Sequence, residues 1–257
     1  MADSKSPHMP PLTTGNAAKA YCLNWIAQRL DSIIGEASIL DLGCGNALGF
    51  IPLLRRYPQV HYVGIEPREE SYEQALHNLR GLNGTAIRQD GYGVYEWLGE
   101  KFDFVVSFST LEHVYRREAY LRSARDCMME NGHILTNYDT GHFMMGTRRD
   151  RVKNVVGPIL ARFGIERYYQ SLVHEQEFLD IVHRLNLEIV DSKFFNTCLK
   201  GINHVVPPNA REAFIERWLD LELWLNTLGV THTDSLAASF FTRNFILRRA
   251  QKQTDEN

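Results

Sequence analysis

Ser38-Ile-Leu-Asp-Leu-Gly-Cys-Gly-Asn-Ala-Leu-Gly49 joins a short apolar run, interrupted by one acid, to a turn built on glycine. Ser38 to Leu42 has the composition of a buried parallel strand. Gly43 and Gly45 carry no Cβ, so backbone there can lie flat against a ligand. A helix is predicted to open at about Leu48, its free N–H groups aimed back at the same spot. Strand, glycine turn and helix in this order make a nucleotide site, and two kinds of ligand compete for it. A dinucleotide site asks for G-x-G-x-x-G, and the third glycine falls at position 48, where this chain has leucine. Asp41, two residues before the first glycine, is unsuited to a pyrophosphate. It suits a cationic group such as the ammonium of an amino acid.

The totals narrow the class. A chain of 257 residues fits one large domain or one domain with insertions. A net charge of −3, with no basic stripe to track a phosphate backbone, argues against nucleic acid as the main partner. Cys22, Cys44, Cys127 and Cys198 share no metal-type spacing and read as thiols of a reducing compartment. There is no apolar run of about 18 residues and no signal-peptide layout at the N-terminus. A cytoplasmic soluble enzyme with no membrane partner is expected.

Taken in order, residues 1–15 are polar, hold three prolines and read as a disordered arm. Asn16 to Ile34 repeats apolar residues at three- and four-residue steps, as an amphipathic helix does. Beyond the glycine turn, His61-Tyr-Val-Gly-Ile-Glu-Pro67 reads as a second strand. Glu66 lies 21 residues beyond Gly45, where a doubly wound fold sets a carboxylate against ribose hydroxyls. A helix from Arg68 to about Leu82 leads to a third strand, Thr85 to Asp90, followed by Gly91. Phe102 to Ser109 is a fourth strand of the buried type, and Thr110-Leu-Glu-His-Val114 follows its carboxyl end, where open α/β sheets bind ligands. A helix over 117–129 is expected to stop at Asn131-Gly132, and His133 to Asp139 is a fifth strand. A helix at 175–185, a strand at 187–195, a helix ending at Gly229 and a strand at 239–247 complete the domain, 16–250, before a polar tail at 251–257. Asn209 and Glu212 have capping-box spacing. The helix they open is apolar over too wide an arc for a solvent-facing helix. It is either packed inside the monomer or forms a homodimer surface.

Asp41/Gly43/Gly45, Glu66 and Asp90/Gly91, in this register, resemble the class I S-adenosylmethionine-dependent methyltransferases. Their first motif is D/E-x-G-x-G-x-G, with Ala47 here at the last glycine. The resemblance covers about Ser38 to Arg249. It implies a Rossmann-like α/β fold with a seven-stranded sheet in the order 3-2-1-4-5-7-6, the last strand antiparallel. It also implies S-adenosyl-L-methionine as co-substrate, with Asp41, Gly43, Gly45, Glu66, Asp90, Gly91 and Ser107 as its binding residues. Two segments, about 141–173 and 201–238, are enlarged with helices. In this family such insertions build the substrate pocket, and Phe143, Met144, Tyr168 and Tyr169 are the aromatic and methionine residues available for one.

The chemistry then needs a nucleophile held in line with the methyl group and, where it carries a proton, a base. Glu112 and His113 are the catalytic candidates, with a helix-capping role as the alternative. Asp139, His142 and His204 are weaker ones. In ubiquinone-pathway O-methyltransferases this corner reads E-x-x-E-H and binds a divalent metal. Ser109 replaces the first acid here, so no metal is expected. The cluster Arg148, Arg149, Arg151 and Lys153 is either a solvated helix face or a grip for an anionic substrate. The leading function is methyl transfer to a small-molecule acceptor at oxygen, nitrogen or carbon, in biosynthesis. The alternatives are a protein or RNA acceptor and a non-catalytic S-adenosylmethionine-binding module.

Overall fold

Ala37–Leu42 forms β1, and five of its six residues are buried. The computed structural model describes residues 17–140, 148–197, 202, 205–228 and 239–251. β2 spans Val60–Ile65, β3 Gly84–Ile87, β4 Phe102–Phe108, β5 Met128–Asp139, β6 Leu187–Phe195 and β7 Thr242–Arg249. They make one sheet in the order β3-β2-β1-β4-β5-β7-β6. The first five strands pair in parallel, and β7 runs antiparallel between β5 and β6. This is the class I methyltransferase order, and it leaves β1 and β4 side by side at the reversal of strand order, where a ligand crevice opens.

Both faces are covered, which is why the central strands are apolar throughout. On one face α1 (Ala17–Leu30), α2 (Ile51–Arg56) and α3 (Glu69–Asn78) bring Trp25, Ile26 and Leu53 onto Phe104 and Val106. On the other, α4 (Val94–Leu98), α5 (Arg117–Cys127) and α7 (Glu175–Arg184) bring Tyr120, Leu121, Phe178 and Ile181 onto Val105 and Phe245. The remaining helices, α6 (Arg148–Arg162) and α8 (Arg211–Thr227), belong to the two insertions. α8 lays Ile215, Trp218 and Leu219 on the small residues Ala17, Ala18 and Ala20 of α1 and on Phe195. Its far side leaves Leu221 and Trp224 exposed, so the wide apolar arc is divided between an internal contact and an open face. Buried Glu222 explains the polar break in that arc. Its carboxylate accepts from Trp218 Nε1 and Thr197 N–H, both at 2.7 Å, and from Asn196 N–H at 2.8 Å, closing off the end of β6.

Two local expectations are corrected, and one short helix is added. The helix before β5 stops at Cys127, and Asn131-Gly132 lies inside β5 rather than at a helix cap. Gly132 is glycine because β4 passes close by: a Cβ there would sit 2.9 Å from Asp103 O and 3.0 Å from Phe102 O. A register shift between Phe102 and Phe104 marks the same spot. The Asn209/Glu212 box does not form, since Asn209 lies in a short 3-10 turn and the N-cap of α8 is Ala210, with no side-chain bond. α4 was not expected. It is one turn set between Gly93 (φ +57°) and Gly99 (φ +73°) and held by fully buried Val94. The arm 1–15, His142, Phe143, Met144, His204, Gly229 and the tail from Lys252 lie outside the described residues, as do the side chains of Arg148, Arg149, Arg151 and Lys153.

Gly132→Ala forces a methyl group against two backbone carbonyls. It should lower the unfolding free energy by about 1–3 kcal/mol, the usual range for overpacking, measured by urea denaturation.

Candidate active site

The glycine turn is fixed before any side chain is considered. Gly43 N–H and Cys44 N–H both donate to Ile65 O, at 2.9 and 3.0 Å, which ties the end of β1 to the end of β2. Gly43 has φ +82°, and a Cβ on it would lie 2.6 Å from Thr110 Oγ1, so both dihedral and space require glycine. Gly45 (φ +57°) differs: a Cβ there would meet nothing within 4 Å. It faces open room, as a backbone that cradles a ligand does. The next link is Glu66, 3% exposed, whose Oε2 accepts from Gly45 N–H at 3.0 Å and whose Oε1 accepts from Arg68 N–H at 2.9 Å. An ionised carboxylate has about four lone-pair positions, and Arg68 Nε fills a third at 3.2 Å.

Asp41 points from β1 into the same crevice, beside Lys19 of α1, Gly43, Asn46 and the stacked rings of Phe50 and Phe108. Tyr62 donates its hydroxyl to Asp41 Oδ2 at 2.8 Å. Burial pushes the Asp41 carboxyl up to about 7, against the pull of Tyr62 and Lys19. Sequence reasoning missed Lys19, Tyr62 and Thr110. Their roles arise only when α1, β2 and the segment after β4 converge on the turn.

Asp90 and Gly91 sit one step further along the carboxyl edge. Asp90 is exposed and accepts from Tyr92 N–H at 3.0 Å, an Asx turn that aims the 90–92 backbone. Gly91 is also a packing requirement, since a Cβ on it would fall 2.3 Å from the Tyr120 ring. Tyr120 in turn donates to Leu42 O at 2.8 Å and pairs with Ser107 Oγ at 3.0 Å. This corrects the reading of Ser107. Its hydroxyl is paired with Tyr120, on the face of the sheet away from Asp41.

At the end of β4, Ser109 takes φ +53°, unusual for a residue with a side chain. Its N–H donates to Asn137 Oδ1 at 2.9 Å. Glu112 and His113 follow in a 3-10 turn, Leu111–His113. They face different ways. Glu112 is 4% exposed, its Oε2 has no partner, and its carboxyl is pushed up to about 7 by burial, with repulsion from Asp139 adding to it. His113 is exposed at the rim, with Nδ1 3.3 Å from Tyr169 O. A carbonyl only accepts, so Nδ1 carries the proton and Nε2 keeps its lone pair. Desolvation on that side holds the imidazole below its ordinary pKa.

The first insertion is anchored to this corner. Buried Arg117 donates to Leu111 O at 3.2 Å, Ser171 O at 3.2 Å and Leu172 O at 3.1 Å, and it pairs with Glu177 at 3.0 Å. Glu166 accepts from Tyr92 OH, from Tyr115 N–H at 3.3 Å and from Arg116 Nε at 3.4 Å. Tyr169 is buried against the Tyr115 ring, while Tyr168 is exposed. The second insertion packs on α1 and β6 instead. Among the described residues, no group of three or more His, Cys, Asp or Glu is gathered for a metal ion.

A sheet of this order, with a glycine turn between a buried acid and a strand-end carboxylate, defines the S-adenosylmethionine-dependent methyltransferase class. Residues 16–192, more than half of the chain, match the family model of the methyltransferase domain, and the chain belongs to that family. A curated relative, the ubiquinone biosynthesis O-methyltransferase of Proteus mirabilis (strain HI4320), is 29% identical over 114 residues, 44% of this chain and 45% of its own length. The chain therefore spans less than half of that relative. Among solved structures, the plantazolicin methyltransferase BamL, in complex with an analogue and S-adenosylhomocysteine, superposes with a TM-score of 0.57 at 13% identity, over 91% of this chain and 85% of that one. A SAM-dependent methyltransferase from Archaeoglobus fulgidus gives 0.52 at 15% identity, over 90% and 94%. The co-substrate of this class is S-adenosylmethionine, and the open room beside Gly45, the buried Asp41 and the strand-end Glu66 fit it.

Asp41 and Glu112 hold their protons to higher pH in the folded protein than in the unfolded chain. Between about pH 4 and about 7 the folded state binds more protons, so this contribution to stability is lost as pH rises through that window. In the ligand-free protein, Asp41→Asn and Glu112→Gln should therefore gain stability relative to wild type as pH rises from 5 to 8, seen in urea midpoints at each pH.

Proposed function

We propose that this domain transfers a methyl group from S-adenosylmethionine to a small-molecule acceptor with an oxygen, nitrogen or carbon nucleophile. The observation that carries the reading is Glu66 drawn onto the glycine turn, with one oxygen on Gly45 N–H. Bound there, S-adenosylmethionine supplies an electrophilic methyl group on a sulfonium. The chain's own residues divide the remaining work. Asp41 faces the ammonium of the amino-acid end, Glu66 accepts from the ribose hydroxyls, and the Asp90–Gly91 backbone meets the adenine. The stacked Phe50 and Phe108 wall keeps water from the reacting centre. Proton removal falls to the Glu112–His113 corner.

The net charge of −3 and the relative named for ubiquinone biosynthesis support a small acceptor over a protein or RNA. Among the described residues no helix is long and apolar enough to cross a membrane. Cys22, Cys44 and Cys127 are free thiols, which suits work in the cytoplasm. Ser109 stands where the metal-binding corner has its first acid, so the reaction runs without a metal.

Glu66→Ala removes charge-assisted hydrogen bonds worth about 1.5–3 kcal/mol, so calorimetry should show S-adenosylhomocysteine binding weakened roughly ten- to a hundred-fold. An unchanged affinity would refute the ribose assignment. Methyl transfer should survive a chelator. Loss restored by magnesium or manganese would refute the metal-free reading.

A further inference from the structure

Glu112 follows the carboxyl end of β4 and Asp139 is the last residue of β5, 4% and 8% exposed. The cofactor assignment uses neither, because Asp41 and Glu66 take its polar groups. The Glu112 carboxyl lies against the backbone N–H of Asp139, close enough for the two acids to repel, and Glu112 Oε2 has no hydrogen-bond partner. A second orphan opens from the same face of β5, two residues earlier. Asn137 Oδ1 takes the Ser109 N–H, which fixes the amide and leaves the buried Nδ2 unpartnered. Lys19 is the cation that acts on Glu112, and it is shared with Asp41. His113, next in the chain, is turned to the Tyr169 carbonyl.

A buried carboxylate oxygen without a partner is costly. The ligand that completes this corner therefore brings a donor to Glu112 Oε2 and, elsewhere on its frame, an acceptor to Asn137 Nδ2. Between two acids a cationic donor is favoured over a neutral one, while an anionic acceptor such as a phenolate is repelled. We infer that Glu112 and Asp139 bind the acceptor's nucleophile as an amine, held first as its ammonium, and that Glu112 receives its proton. The assignment rests on the methyl-transfer reading and narrows it from oxygen, nitrogen or carbon to nitrogen. The acceptor R–NH₃⁺ gives one proton to Glu112 Oε2, leaving R–NH₂ and a neutral carboxylic acid. The freed lone pair forms the N–CH₃ bond as the C–S bond breaks, and the bonding pair stays on sulfur. The products are R–NH₂⁺–CH₃ and S-adenosylhomocysteine, with the positive charge moved from sulfur to nitrogen. Glu112 returns its proton to water when the product leaves. A carboxyl that titrates near neutral pH suits that exchange.

The test uses the full chain saturated with S-adenosylhomocysteine, titrated calorimetrically with benzylamine against benzyl alcohol and with ethanolamine against ethylene glycol. Each amine should bind roughly tenfold or more tightly than its alcohol, the scale of a charge-assisted hydrogen bond. Glu112→Gln and Asp139→Asn should each erase most of that preference while S-adenosylhomocysteine affinity stays within about twofold of wild type. Wild-type protein that binds S-adenosylhomocysteine but favours no amine overturns the amine assignment alone, as does a preference that survives both substitutions. Wild-type protein that fails to bind S-adenosylhomocysteine overturns the methyl-transfer reading as well.

Discussion

The donation of Gly43 N–H and Cys44 N–H to the single carbonyl of Ile65 is the constraint on which the site depends. It locks the turn after β1 to the end of β2, and so brings Gly45 N–H within reach of Glu66. Thr110, arriving from the end of β4, closes on the same turn so tightly that only glycine fits at position 43. Three strand ends are thus held at one point with almost no side-chain freedom. That rigidity is what a site needs when its partners must be placed to within a fraction of an ångström.

Around this frame the crevice is acidic by design of the fold. Asp41, Glu66, Glu112 and Asp139 are all buried at the carboxyl edge. Burial resists ionisation of a carboxylate, and it pushes Asp41 and Glu112 each up to about 7. Lys19 tempers both. A ligand with net positive character relieves the same tension, as the sulfonium of the methyl donor does and as the proposed amine acceptor would. Arg117 and Glu166 extend the frame outwards by fastening the first insertion across the β4 corner and the Asp90–Tyr92 turn.

Much of this was legible in the sequence, for identifiable reasons. The central strands announce themselves as apolar runs because both their faces are covered, and Asp41, Gly43, Gly45 and Glu66 sit at spacings that the strand–turn–helix unit dictates. The structure gathers those four around one crevice. Signals that depend on one residue type were less dependable. Asn131-Gly132 looks like a helix stop, but Gly132 answers to the carbonyls of β4. Asn209 has the residue type of a cap, but the chain enters α8 through a 3-10 turn. Ser107 lies at the right strand end, yet strand alternation points its hydroxyl at Tyr120. Lys19, Tyr62 and Thr110 were silent because their importance comes from tertiary approach, which no local pattern encodes.

Every role assigned to the crevice depends on where the methyl donor's product lies. A crystal structure of the complex with S-adenosylhomocysteine is the direct measurement. Both ribose hydroxyls should lie on the Glu66 carboxylate, the ammonium beside Asp41 and the sulfur on the side of the crevice that opens towards Glu112. A ligand bound elsewhere, or one whose ribose leaves Glu66 bonded only to Gly45 and Arg68, would contradict it.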